Sequence, residues 1–335
     1  MSSTAANIVV FGTGAVGCIY AALLQRGGAN VTTVCRTNYS AVKNNGIFVR
    51  SIKWGHIRTR PNTVRTCQEA QSYGPFDYAL VCSKAFPGVA QMIKDVVTPT
   101  RTAIVLAQNG IAIEEDYREL YPSNPIISGV VYLPTTQVEP GIVEHGTPLE
   151  EFEIGTFPFD APREHKDAAE RLSRLFAAGG AKAPVHEDIQ VRRWNKLSLN
   201  ACFNPITALT LCDDANYLRS SGYAVDMAKE VMREVGRVAT KAGYANAITD
   251  KETEQHMARH LDRLKTGGKE PSMLVDIRHG RNIEVEAILG NAVRKAGELG
   301  VEAPYLKMLY VLAKARDFAT SKSEEDGWRP IATVG

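Results

Sequence analysis

The stretch Ile8-Val9-Val10-Phe11-Gly12-Thr13-Gly14-Ala15-Val16-Gly17 decides how the rest of the chain reads. Four apolar residues in a row, stopped by a glycine, suit a strand buried on both faces of a parallel sheet. Helical spacing then runs from Ala15 to Arg26 and ends at Gly27-Gly28. Between strand and helix lies a Gly-x-Gly-x-x-Gly pattern, in the one context where the pattern has a mechanism. Gly12 permits the tight turn, Gly14 lets a pyrophosphate approach the backbone, and Gly17 lets the helix pack on the strand. Ala15 and Val16 open the helix, where amides without intrahelical partners and the helix dipole favour phosphate. A tight strand-to-helix turn with no ligand would use the same glycines, so the neighbouring segments matter.

Further β-like runs follow at Val31–Cys35, Tyr78–Cys82 and Ala103–Leu106, separated by helix-length segments. That alternation predicts an α/β fold with a parallel sheet and right-handed crossovers. From Pro125 to Phe157 closer-spaced β-rich pieces predict the antiparallel edge of the same domain. A helix over Glu164–Ala178 leads to a boundary near His186. Residues 1–186 are therefore expected to form a Rossmann-type dinucleotide-binding domain and 187–335 a mostly α-helical one. Its helices are expected at Asp188–Leu211, Gly222–Ala242, Asp250–Leu264, Glu284–Leu299 and Pro304–Ala319, with a charged, frayed tail from Lys322.

Composition narrows the partners. A chain of 335 residues, 44% hydrophobic and 23% charged, is an ordinary two-domain globular protein. A net charge of +2 gives no footprint for nucleic acid or a membrane surface, which points to a small-molecule substrate. The six cysteines are scattered without a Cys-x-x-Cys pair, as expected in a reducing cytoplasm. The first residues lack the basic start of a signal peptide, and no apolar run nears the ~20 residues of a membrane span. His256 and His260 are spaced i, i+4 but lack the glutamate of the zinc-protease motif, so they read as solvated helix histidines and no metal is expected. A homodimer is compatible with all of this.

Candidate chemistry sits at strand ends and on one helix. The second strand ends in Arg36-Thr37-Asn38-Tyr39-Ser40, without the carboxylate that holds an NAD ribose. An arginine there can fork onto a 2′-phosphate, so NADP(H) is favoured over NAD(H), although a solvated surface arginine reads the same. Lys84 and Asn109 follow two further strands at the edge where open sheets bind ligands; a loop lysine and an Asn-Gly turn are the plainer alternatives. Lys196, Asn200 and Asn204, spaced i, i+4, i+8, share one face of an otherwise apolar helix. Buried polar groups need partners, which this face could find in a ligand or in a structural polar seam. Pro205 suggests a kink just after Asn204. Ser272 reads as the N-cap of a short helix, and Glu284 as the acidic start of a long one.

Taken in order, these motifs resemble the ketopantoate reductase family over nearly the whole chain. The resemblance rests on Gly-x-Gly-Ala-x-Gly, the strand-end arginine, Ser-Lys-Ala, Gln-Asn-Gly, Lys-Leu-x-x-Asn-x-x-x-Asn-Pro and Ser-Met-Leu-x-Asp-Ile. It implies that Gly12, Gly14, Ala15, Val16, Gly17, Arg36, Lys84 and Asn109 contact NADPH. It also implies a catalytic Lys196, an essential Glu284, and substrate contacts from Asn200, Asn204 and Ser272. Glu286-Ala287 stands where many members have an Asp-Tyr pair. The implied reaction is reduction of a 2-oxoacid, 2-dehydropantoate first, with Lys196 as general acid. Another 2-oxoacid, an imine, or a non-catalytic sensor of NADP redox state are the alternatives. Motifs of both halves are required, so an active cleft is expected between the domains.

Overall fold

The computed structural model describes residues 5–322. Most of the expected charged tail therefore lies outside the described residues. Two compact units emerge, one running to Asn109 and resuming at Ile113–Ile189, the other made of Gly110–Ala112 and everything from Gln190.

The first unit is built on a seven-stranded sheet. Its strands are β1 (Asn7–Phe11), β2 (Asn30–Val34), β5 (Asn62–Val64), β6 (Tyr78–Val81), β7 (Ala103–Leu106), β8 (Ile126–Tyr132) and β11 (Glu151–Thr156). Their order is β11-β8-β7-β6-β1-β2-β5, parallel throughout except for the β8–β11 pair. The first six strands run in the doubly wound order, and the order reverses between β1 and β6, where such sheets bind their ligands. The chain beyond Ala178 stays with this unit because it continues the sheet edge. Phe152 N donates to the Lys182 carbonyl (2.8 Å), Ile154 N to that of Pro184 (2.9 Å), and His186 N returns to Ile154 (2.7 Å).

The expected antiparallel edge over 125–157 needs correction. Its β8 is parallel to β7, and only β11 closes the edge antiparallel. The pieces between them, β9 (Thr136–Glu139) and β10 (Ile142–His145), leave for a second sheet with β3 (Ile47–Ser51) and β4 (Gly55–Thr59), in the order β4-β3-β10-β9. The pairing of β10 with β3 is parallel and joins segments far apart in sequence, so local alternation cannot announce it. This second sheet also explains why the helix Ala15–Arg26 has no polar face. The helix touches both sheets and the helix Arg163–Ala178, and every residue from Gly17 to Leu24 is buried. At its centre Tyr20 packs against Phe152 and Phe176, with ring centroids 4.9 and 5.1 Å away.

The second unit is helical. Its spine is the helix Ile189–Thr210, which continues through Pro205. Around it lie Asp214–Ser220, Ala224–Lys241, Asp250–Asp262, Ser272–Arg278, Asn291–Glu298 and Pro304–Ser321. The short helix Asp214–Ser220, with its Asp213 cap, is absent from the periodicity because it is only two turns long. Buried Glu234 holds the start of the last helix by accepting the amides of Tyr305 (3.1 Å) and Leu306 (2.8 Å).

His256 and His260 are not solvated: both are buried. The helix Asp250–Asp262 turns this face inward, and the His260 ring stacks on Phe203 at 4.0 Å, with planes 5° apart. His256, 6% exposed, has no hydrogen-bond partner for either ring nitrogen among the described residues. Burial, assisted by Arg259 and His260, pushes its pKa down to about 4 from 6.5. Between those values the unfolded chain binds a proton that the folded state does not, so stability falls as pH drops from 6.5 to 4. The full effect is about 3 kcal/mol. His256→Leu, similar in volume, is expected to flatten the decline of Tm across this window. Thermal melts of both proteins from neutral to acid pH check this, and parallel profiles would contradict it.

Candidate active site

Four strand ends meet at one edge of the large sheet: β2, β1, β6 and β7 are consecutive neighbours, and the loop after each carries a candidate residue. Gly12 has φ +93°, and a side chain there would fall 2.5 Å from the Ser83 amide nitrogen. The glycine loop therefore lies directly on the loop that bears Lys84. Gln108 Nε2 donates to the Ser83 carbonyl (3.0 Å), which ties the Asn109 loop to the same place. On the other side Thr13 Oγ1 donates to the Val34 carbonyl (3.1 Å), and buried Asn38 donates to the Thr13 carbonyl (2.6 Å). These two bonds, which the motif reading missed, hold the Arg36 loop against the glycine loop. Both use small polar side chains that look like ordinary turn residues in the sequence.

The three glycines differ in what surrounds them. A side chain on Gly17 would meet the Gly12 carbonyl oxygen at 2.0 Å, which is the close helix-to-strand approach the motif requires. At Gly14 the corresponding position faces open space, with no atom within 4 Å. Gly14 is also the N-cap of the helix Ala15–Arg26 and supplies no capping side chain, and no acidic residue stands in the first turn. An anion can approach the amides of Ala15 and Val16 there without displacing protein.

In the second unit Lys196 and Asn200 are half-buried on the spine helix, and Asn204 is 3% exposed. Asn204 Oδ1 accepts from Ser272 Oγ (3.2 Å) and from the Met273 amide (3.3 Å). Ser272 is accordingly not the N-cap. Pro271 holds that position, and Ser272 is the first helical residue, its hydroxyl turned to Asn204. The structure thus joins two of the sequence candidates directly, with the Asn204 amide group left to donate.

Glu284 is buried, 7% exposed, and stands at the helix start, its carbonyl accepting from the Ile288 amide (3.1 Å). Asp317 Oδ1 accepts from Asn282 Nδ2 (3.0 Å) and Ile283 N (2.9 Å), which fixes the backbone leading into Glu284. The expected uniform helix 284–299 begins with a π-helical turn, Glu286–Gly290, before the α-helix Asn291–Glu298. Such turns are frequent at functional sites. The anchor is Glu286, whose carboxylate accepts from Lys314 (2.8 Å), Arg294 (2.8 Å) and Tyr310 (3.2 Å). Burial pushes its pKa up, but the bonds from Lys314 and Arg294 outweigh it and hold the carboxyl below its usual range. Gly290 makes the room: a side chain there would lie 2.4 Å from Glu286 Oε2.

The sequence reading also missed the grip on Gly110–Ala112. Buried Arg193, 3% exposed, donates to the Gly110 carbonyl (2.6 Å), and Asn291 Nδ2 donates to that of Ile111 (2.6 Å). Ile111 N donates to Ala287 in the π-helical turn (3.2 Å). Arg193 lies one turn before Lys196, but an arginine in a charged Arg-Arg pair carries no sequence sign of burial.

Comparison with known proteins shows the family. Residues 8–158 match the family described as Ketopantoate reductase PanE/ApbA, and residues 188–317 match its C-terminal counterpart. The crystal structure of 2-dehydropantoate 2-reductase from Methylococcus capsulatus is 33% identical, with a TM-score of 0.82, covering 95% of this chain and 98% of that one. The chain belongs to the ketopantoate reductase family. A 2-dehydropantoate 2-reductase of Nostoc sp. is 28% identical over 312 residues, 92% of this chain and 94% of the relative. A D-mandelate dehydrogenase, solved with NADH and anilino(oxo)acetate, shares the fold of this ketopantoate reductase family member at 21% identity and TM-score 0.80, over 95% of this chain and all of that one.

Proposed function

We propose that the chain reduces the 2-oxo group of a small carboxylic acid, 2-dehydropantoate before others, with NADPH as reductant. The observation that carries this is the polar face Lys196, Asn200, Asn204 on an apolar helix, completed by Ser272 bonded to Asn204. A purely structural seam would satisfy its polar groups internally, whereas the Asn204 amide group and half-buried Asn200 leave donors for a ligand carboxylate. NADPH, when bound, supplies the hydride. The open position at Gly14 and a first turn without a side-chain cap fit its pyrophosphate, and Arg36 with no acid at the end of β2 fits a 2′-phosphate. Lys84 and Asn109 complete the cofactor edge.

Reduction turns a carbonyl oxygen into an alkoxide, which must be stabilised and protonated. In this proposal Lys196 does both, as oxyanion partner and general acid. Glu284 is the carboxylate assigned to balance the charge of the lysine. Asn200, Asn204 and Ser272 orient the substrate carboxylate without adding charge. The D-mandelate dehydrogenase on the same fold is a reminder that the fold does not choose the 2-oxoacid.

Oxidation of NADPH against a panel of 2-oxoacids and cyclic imines tests the proposal. The highest kcat/KM is expected with 2-dehydropantoate. Tight NADPH binding without turnover of any of them would favour a redox sensor instead. NADPH is expected to bind more tightly than NADH, and Arg36→Ala to remove ~10- to 150-fold of that preference, the worth of a charge-assisted contact. Equal dissociation constants in the parent protein would contradict the cofactor assignment.

A further inference from the structure

We propose that Arg65, laid on the ring of Tyr39 beside the Arg36 loop, is a second cation for the 2′-phosphate of the adenosine ribose. The inference rests on the NADP reading above and extends it to a residue with no motif of its own. Strands β2 and β5 pair in parallel with Val34 opposite Val64, and the Cys35 amide still donates to the Val64 carbonyl (2.9 Å). Arg36 and Arg65 therefore leave the same edge of the sheet from neighbouring strands, which stand ~5 Å apart. Both residues are exposed.

The geometry around Arg65 fixes its base and leaves its tip available. Its backbone amide donates to Glu69 Oε2 (2.9 Å), and Thr66 Oγ1 accepts from Glu69 N (3.1 Å), so the turn after β5 is held from both sides. The guanidinium carbon lies 4.0 Å from the Tyr39 ring centroid. Tyr39 in turn opens the helix Tyr39–Asn45, and its amide donates to the Arg36 carbonyl (3.3 Å). A guanidinium stacked on a ring keeps its N–H edge turned outward in one plane, the arrangement that forks onto phosphate oxygens.

Charge supplies an independent argument. Among the described residues neither Arg36 nor Arg65 is in an ion pair, and neither is Arg26, Arg58 or Arg60, so it is their place on adjacent strand ends that sets the two apart. Two permanent cations on adjacent strand ends repel until an anion lies between them. A dianionic phosphate monoester is the matching ligand, and at this edge of a doubly wound sheet it is the one on the adenosine ribose. A free phosphate ion would share that chemistry.

Dissociation constants for NADPH, NADH, 2′,5′-ADP, 5′-AMP and inorganic phosphate, measured on the parent, Arg36→Ala, Arg65→Ala and Arg65→Lys, test the assignment. Arg65→Ala is expected to weaken NADPH and 2′,5′-ADP by about 5- to 30-fold and to leave NADH and 5′-AMP unchanged. Arg65→Lys, which keeps the charge but not the fork, is expected to recover part of the loss. The salt dependence of NADPH binding should also become shallower in Arg65→Ala. If Arg36→Ala weakens NADPH selectively and Arg65→Ala does not, the Arg65–Tyr39 stack is only a surface contact and the inference fails alone. Competition by inorganic phosphate as strong as by 2′,5′-ADP would assign the pair to a free phosphate and overturn it. A parent that binds NADPH and NADH equally overturns this inference together with the NADP reading.

Discussion

Lys196→Ala is expected to fold, to bind NADPH about as tightly as the parent, and to lose on the order of 10²–10⁴ in kcat. The loss follows from the role proposed for the side chain. A proton and a positive charge must reach the oxygen as the hydride arrives, and the alanine supplies neither. Cofactor affinity should hold because the cofactor contacts proposed above come from the loops after β1, β2, β6 and β7. The lysine is half-buried, so truncation also removes packing of its stem, and thermal melts must accompany the kinetics. A structural seam makes the opposite forecast, a lowered Tm with turnover per folded molecule nearly intact. Steady-state kinetics with 2-dehydropantoate, fluorescence titration with NADPH and melting curves on the same samples separate the two.

Gly110→Ala is expected to have the largest effect on stability. Gly110 has φ +96°, and a side chain there would lie 2.2 Å from the Ala287 carbonyl oxygen and 2.6 Å from its carbon. These are backbone atoms of the π-helical turn and cannot rotate aside. Relief requires the Gly110–Ala112 segment to retreat, which breaks the Ile111–Ala287 bond and strains those from Arg193 and Asn291. Backbone strain of ~1–3 kcal/mol and overpacking of similar size add to about 2–6 kcal/mol. That is a large part of a typical stability of ~5–15 kcal/mol. Gly297→Ala is the control. It is an exposed helical glycine with no neighbour within 4 Å, and the change should stabilise by up to ~1 kcal/mol. Chemical denaturation of the three proteins checks both signs, and a Gly110→Ala midpoint equal to the parent's would refute the clash.

The fold class follows from local pattern where the pattern is strong. Ile8–Phe11 and the glycine loop predict a buried parallel strand, a tight turn and a phosphate-facing helix, and each of these depends on residues within one turn of one another. The Lys196, Asn200, Asn204 face is equally local, because helix periodicity alone aligns the three. Other features hinge on partners distant in the chain. The four-stranded sheet needs β3 to find β10, and neither segment has a pattern that says so. Solvated histidines are the natural expectation for His256 and His260, since i, i+4 spacing shows a shared face but not whether that face turns inward.

Within the candidate site the division is the same. Residue types able to bind a dinucleotide and protonate an alkoxide are present in the amino-acid order itself, because each sits in a short motif with its own turn or helix. Which of them touch is a matter of packing. Ser272 reads as a cap in isolation and becomes a partner of Asn204, 68 residues away, only when two helices meet. Glu284 reads as the start of a helix and does supply its first carbonyl, to the Ile288 amide (3.1 Å), but the turn that follows is π-helical, with Glu286 bonded to Arg294, Tyr310 and Lys314. Arg193 and Arg65 carry no local signal, since one is defined by the carbonyl it reaches and the other by the ring it covers. Secondary structure and motif chemistry draw on neighbours in sequence, whereas burial, hydrogen-bond partners and uncompensated charge draw on neighbours in space.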